Sequence, residues 1–93
     1  MKRDEMLDVA KVARDNIEKL LSKEHIMIDD IRITEPDYDG IRVCISVRWG
    51  DWKHEHGYLR YLLIENGYDY DGEVVTEDDG SDCYCADHYV KVA

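Results

Sequence analysis

The sequence predicts an α+β domain: one N-terminal helix packed on a four- to five-stranded antiparallel sheet, arranged as a meander. Three observations carry this expectation. Apolar side chains recur at helical spacing over residues 3–23, residues 41–49 alternate strictly between apolar and polar, and turn-forming clusters punctuate the remainder of the chain. The 93 residues hold one core, so 1–93 reads as a single domain.

The helix comes first. Met6, Ala10, Ala13, Ile17 and Leu20 form its apolar stripe, widened by Leu7, Val9 and Leu21. Glu5, Lys11, Arg14, Asp15, Glu18 and Lys19 lie away from that stripe, at spacings that allow pairing. Residues 1–24 carry six bases and six acids, so the segment is neutral and reads as cover for one sheet face.

A first strand is expected over His25–Glu35. Ile26 and Ile28 share one parity and Ile31 and Ile33 the other, which predicts a bulge or kink at Asp29-Asp30. Pro36 ends the strand, and Asp37-Tyr38-Asp39-Gly40 turns the chain into the next. In Ile41–Trp49 the side chains of Ile41, Val43, Ile45, Val47 and Trp49 share one face, with Arg42, Cys44, Ser46 and Arg48 on a wet one. A slip of one residue would put five large apolar groups in water, so this central strand has a firm register.

Gly50–Gly57 reads as a connection, and residues 58–66 fit two structures. Leu59, Leu62 and Leu63 suit a short second helix at 58–66 with Asn66-Gly67 as its C-cap. Leu59, Tyr61 and Leu63 suit a strand. The tetrapeptide Asp-Tyr-Asp-Gly occurs at 37–40 and again at 69–72; a second hairpin turn there favours a strand over Tyr58–Tyr70. Leucine richness without valine favours the helix. Glu73–Glu77 is then a short strand, Asp78–Ser81 a turn, and Cys83–Val92 the last strand.

No apolar run approaches the length of a membrane span, and the first residues lack the apolar core of a secretory signal. Three cysteines do not make a disulfide framework, so a cytoplasmic protein with reduced thiols is expected. Seven Tyr and two Trp with no Phe favour half-exposed contact surfaces.

The constellations that could carry chemistry are incomplete. His54 and His56, like Cys83 and Cys85, are two apart and would project to one side of a strand, as a tetrahedral zinc site needs. The spacing matches no common zinc module, and solvated histidines with small apolar cysteines explain it as well. Asp69–Gly72 imitates the middle of an EF-hand loop, but Gly67 stands where the first ligand belongs and Asp78 where a Glu is needed. Cys44 has Arg42 and Arg48 on its face, the only support for an activated thiol. No phosphate-binding glycine loop is present. The expectation is a non-enzyme without metal or cofactor.

Charge is the clearest signal. The net charge is −10, and with residues 1–24 neutral, residues 25–93 hold 16 acids against six bases. Between Asp69 and Asp87 there are eight acids and no Lys or Arg. Such a field disfavours direct binding to nucleic acid, which needs cations to displace counterions, and favours a basic partner. The candidate contact residues are Asp37, Tyr38, Asp39, Asp69, Tyr70, Asp71, Glu77, Asp78, Asp79 and Asp82. Short aspartates at turns hold charge at fixed points as a phosphate backbone does, and tyrosines between them supply anchors. An acidic surface that merely keeps the protein soluble is the simpler reading.

The expected function is therefore an inhibitor that occupies the nucleic-acid-binding surface of a basic protein. In size and charge, though in no motif, the chain resembles phage-encoded anti-CRISPR proteins, glycosylase inhibitors and toxin immunity proteins. The alternative is a homodimer or larger homo-oligomer joined through a sheet edge or the tyrosine-rich face.

Overall fold

The computed structural model describes residues 2–49, 57–77 and 84–93. Its elements are α1 (Arg3–Lys23), β1 (Asp30–Ile33), β2 (Arg42–Trp49), α2 (Gly57–Glu65), β3 (Asp69–Glu77) and β4 (Tyr84–Lys91). The described strands make one antiparallel, meander-like sheet in the order β1-β2-β4-β3. Two hairpins, β1–β2 and β3–β4, sit side by side through β2 and β4, and α2 lies between them in the chain.

The core explains why. Ile17 and Leu21 of α1 and Leu59 and Leu63 of α2 meet Val43, Ile45 and Val47 of β2 and Val90 of β4. All are essentially inaccessible, each worth about 1.5–3 kcal/mol of burial. Val43 faces Val90, Ile45 faces His88 and Val47 faces Ala86 across the β2–β4 ladder, so one row of each strand forms the floor under both helices. No described helix covers the opposite face. Ile41, also buried, extends the ladder by one step, donating to the carbonyl of Ala93 and accepting from the amide of Val92.

α1 begins and ends within the predicted segment. Its C-terminus closes with Ile26 N–H on Leu21 O (2.8 Å) and His25 N–H on Ser22 O (3.1 Å). That hydrogen-bond pattern places His25, at φ 59°, where glycine is usual.

Residues 57–65 are helical, so the short second helix is the alternative that holds and the strand favoured over Tyr58–Tyr70 is corrected. Leu59, Leu62 and Leu63 are all buried; an alternating strand would have put Leu62 on the face opposite the other two. The helix ends with Tyr68 N–H on Leu63 O and Gly67 N–H on Ile64 O, Gly67 standing at φ 84°. The second Asp-Tyr-Asp-Gly is correspondingly no hairpin turn. It opens β3, which runs from Asp69 rather than from Glu73, and the register shifts between Tyr70 and Gly72 as a bulge.

The first strand is shorter than His25–Glu35. After the bend at Asp29, only Asp30–Ile33 pairs regularly, Ile31 with Ile45 and Ile33 with Val43. Ile26 and Ile28 still pack against the core from the connection that precedes it. The expected turn at 37–40 stands: Asp37 N–H donates to Gly40 O (2.9 Å) and Gly40 N–H to Asp37 O (3.1 Å). Gly40 has φ 121°, and a Cβ there would collide with the carbonyl of Ala93.

Two opposite substitutions test these backbone assignments. Gly40→Ala is expected to lower the free energy of unfolding by about 2 kcal/mol or more, combining φ strain with the collision. His25→Gly is expected to raise it by about 0.5–1 kcal/mol by relieving the left-handed conformation. Urea titration followed by circular dichroism measures both, and a neutral Gly40→Ala would contradict the Gly40–Ala93 approach.

Candidate functional site

The β1–β2 turn holds three of the candidate residues. Asp37 Oδ1 accepts the amide of Asp39 (2.8 Å), an Asx turn that fixes the loop, and Tyr38 at the tip is 98% exposed. Asp69 and Asp71 start β3 at the same end of the sheet. Arg42, the first residue of β2, joins the two copies of the tetrapeptide. Its NH1 lies 3.5 Å from Asp37 Oδ2, and its Nε donates to Asp71 Oδ2 across the intervening β4. These carboxylates, Asp71 foremost, push the guanidinium pKa further up, so Arg42 remains charged throughout.

Asp37, Asp39 and Asp71 thus gather around one arginine, with Asp69 alongside in register with Lys91. Asp39 and Asp69 make no ion pair among the described residues. Glu77 ends β3 at the other end of the strand. It lies eight positions from Asp69, about 25 Å of extended chain. Among the described candidate acids, Glu77 therefore stands apart from the other four. Asp78, Asp79 and Asp82 belong to segments outside the described residues, as do His54, His56 and Cys83 of the zinc expectation. Among the described residues no group of three or more His, Cys, Asp or Glu could hold a metal ion.

Tyr70 turns inward, unlike the contact anchor expected of it. Its ring packs on the core, and its hydroxyl donates to Glu73 Oε2 (2.9 Å) and lies 2.7 Å from Nδ1 of His88, which is fully buried. A hydroxyl has one proton. With that proton on the carboxylate side, its oxygen accepts from Nδ1–H of His88, giving the chain His88 to Tyr70 to Glu73. The bulge makes this possible. Tyr70 pairs with Val90 and Glu73 with His88, two positions on the same face of β4, although three residues apart on a regular strand would face opposite ways. Burial, then the adjacent carboxylate, pushes the Tyr70 pKa well up. The inward parity of His88 was readable in the alternation of β4; its partners needed the bulge and the β3–β4 register.

The uncovered sheet face is a lattice of opposite charges. Arg32 NH1 donates to Ser46 Oγ (3.0 Å) and to Asp30 Oδ2 (3.4 Å), while Ser46 Oγ donates to Asp87 Oδ1 (2.6 Å). Beneath it Cys44 is fully buried, which corrects its placement on a wet face. It lies between Arg32 and Tyr89 in register, and their long side chains exclude water from it. Burial pushes the Cys44 thiol up, only partly opposed by Arg32, the reverse of what a nucleophilic thiolate requires.

Between the α1–β1 connection and the start of α2 lies an open cleft of about 460 Å³, lined by Ile26, Met27, Ile28, Asp29, Arg48 and Tyr58. None of the candidate acids lines it.

Compared with known proteins, the chain matches no family model, no curated protein and no solved structure.

The buried network has a measurable signature. Tyr70→Phe is expected to cost about 1–3 kcal/mol, since it leaves Nδ1 of His88 and the Glu73 carboxylate without the hydroxyl. Because the folded-state pKa of Tyr70 is raised, its contribution is complete below the unfolded tyrosine pKa of about 10 and fades as pH rises above it. Between neutral pH and about pH 11, above the unfolded tyrosine pKa, the wild type should therefore lose more stability than Tyr70→Phe. Parallel losses in urea titrations of the two would refute the hydroxyl's role.

Proposed function

We propose that this protein is a small acidic, non-enzymatic binding protein that inhibits a partner by occupying its basic, nucleic-acid-binding surface. The observation that carries the reading is where the acidic run lies. Asp69, Asp71, Glu73 and Glu77 follow one another along β3, the last described strand of the sheet, so four of the eight acids in the run with no Lys or Arg lie on one border strand. A fixed row of carboxylates attracts a cationic surface at long range and sets its orientation. Arg42 offsets part of this charge at Asp37 and Asp71, so the weight falls on Asp39, Asp69, Glu77, Asp78, Asp79 and Asp82. Tyr38 keeps the role of exposed anchor.

On this reading the protein acts in the cytoplasm, in the manner of phage anti-defence or toxin immunity proteins. No helix among the described residues is long and apolar enough to cross a membrane.

A second reading, self-association, has one specific observation behind it. Tyr58, Tyr61 and Ile64 recur every third residue on α2 and are 45%, 57% and 51% exposed, with Tyr58 and Tyr61 stacked at 6.5 Å. Light scattering at rising concentration separates a dimer from a monomeric inhibitor.

The inhibitor reading is tested by capture from lysate at low and high salt. Nucleic-acid-binding proteins should be retained at low salt and displaced by duplex DNA or by added salt. Reversing Asp39, Asp69, Asp78 and Asp79 to Lys, which leaves the Arg42–Asp71 pair intact, should abolish the capture while circular dichroism stays unchanged. A folded variant that still captures the same proteins would rule out these acids as the contact.

A further inference from the structure

We propose that the outer edge of β3 accepts an extended, basic segment of a partner protein as an added strand. The inference rests on the acidic binding reading above and names the mode of recognition. β3 pairs with β4 along its length, and no described strand pairs with its other edge. A strand of nine residues in that position presents a row of backbone donors and acceptors ready for another chain. The opposite border, β1, has only four residues and carries one acid and one base, Asp30 and Arg32, so it offers less length and no preference of sign.

The side chains of β3 choose the occupant. Its sequence holds Asp69, Asp71, Glu73 and Glu77 and no Lys or Arg. An antiparallel second copy centred on Glu73 would set Glu73 against Glu73 and Asp69 against Glu77, and a parallel copy would set every acid against itself. Like charges directly opposite are destabilising, so the edge repels its twin and favours lysine or arginine. Asp71 is already paired with Arg42 and Glu73 is engaged by Tyr70, so the selection by charge rests on Asp69 and Glu77. The register is regular from Gly72 to Glu77. Val74 and Val75, one on each face, are 56% and 44% exposed beside that edge, leaving apolar surface for the alternate residues of an incoming strand. The partner segment is therefore extended, cationic and interspersed with β-branched or other apolar residues.

The test uses the full chain and a fluorescein-labelled peptide of the length of β3 in which lysine and valine alternate. A second peptide has the same side chains but is N-methylated at every residue, which keeps the charge and removes the backbone donors. Fluorescence anisotropy should show saturable binding of the first, weakened at least about tenfold in the second. Asp69→Lys combined with Glu77→Lys should weaken it by at least about tenfold too. Amide exchange should slow in β3 on binding and stay unchanged in β1. Absence of binding, equal binding of the N-methylated peptide, or protection confined to β1 overturns the proposal. So does a dimer whose β3 amides are protected without peptide, since the edge then belongs to a second copy. Failure here leaves the salt-sensitive capture of basic proteins standing. Failure of that capture with intact peptide binding removes the inhibitor reading instead.

Discussion

The inner row of β2, Val43, Ile45 and Val47, is the surface against which the rest of the molecule is set. β2 is paired on both sides, by β1 and β4, and its row is covered by side chains from both helices. A strand in that position transmits its register in two directions. If it slipped by one residue, the apolar row would face water, Arg42, Ser46 and Arg48 would enter the core, and both ladders would be misaligned. Ionised groups buried without partners are far more costly than any surface pairing can repay, so burial decides the arrangement. α2 follows from the same demand. The β2–β4 floor needs a second cover beyond α1, and three leucines at helical spacing supply it.

Once the helices take one face of the sheet, the arginines of β1 and β2 are left with the other. Arg32, Arg42 and Arg48 share that face, where Arg32 pairs with Asp30 and Asp87 and Arg42 with Asp71. The open face is thus nearly balanced in sign. Among the described residues, acids outnumber bases along β3 and at the tip of the β1–β2 turn, even with Arg42 paired to Asp37 and Asp71. This division gives a strongly negative chain a polar, self-paired sheet face and a negative border, rather than a uniform shell of charge.

The bulge at Asp71 links the two halves of this picture. By inserting one residue it turns Tyr70 and Glu73 toward His88, where a fully buried imidazole finds hydrogen-bond partners, and it turns Asp71 toward Arg42. A buried polar group without partners costs enough to matter in so small a core, and the Tyr70–Glu73 pair supplies them. The Asp-Tyr-Asp-Gly sequence therefore serves two different backbones. At 37–40 its aspartate caps a tight turn; at 69–72 its glycine accommodates a bulge at φ 112°.

Much of the architecture was legible because it depends on local period and turn chemistry. The helical stripe of residues 3–23, the alternation of residues 41–49 and the turn at 37–40 each carry their own signal, and the antiparallel α+β class follows from them. Residues 58–66 were not legible, since Leu59, Leu62 and Leu63 satisfy both periods until a floor exists for them to cover. Cys44 lay on the polar parity of its strand and was buried by Arg32 and Tyr89, neighbours that only strand pairing brings there. Tyr70 looked like a surface anchor until the β3–β4 register gave its hydroxyl an imidazole. Charge and the periods of single elements are properties of consecutive residues, and the chain's order of residues settles them unaided. Which acids share an end of the sheet, which are spent on Arg42 and which strand is left as an edge came from the folded arrangement, because pairing joins residues tens of positions apart.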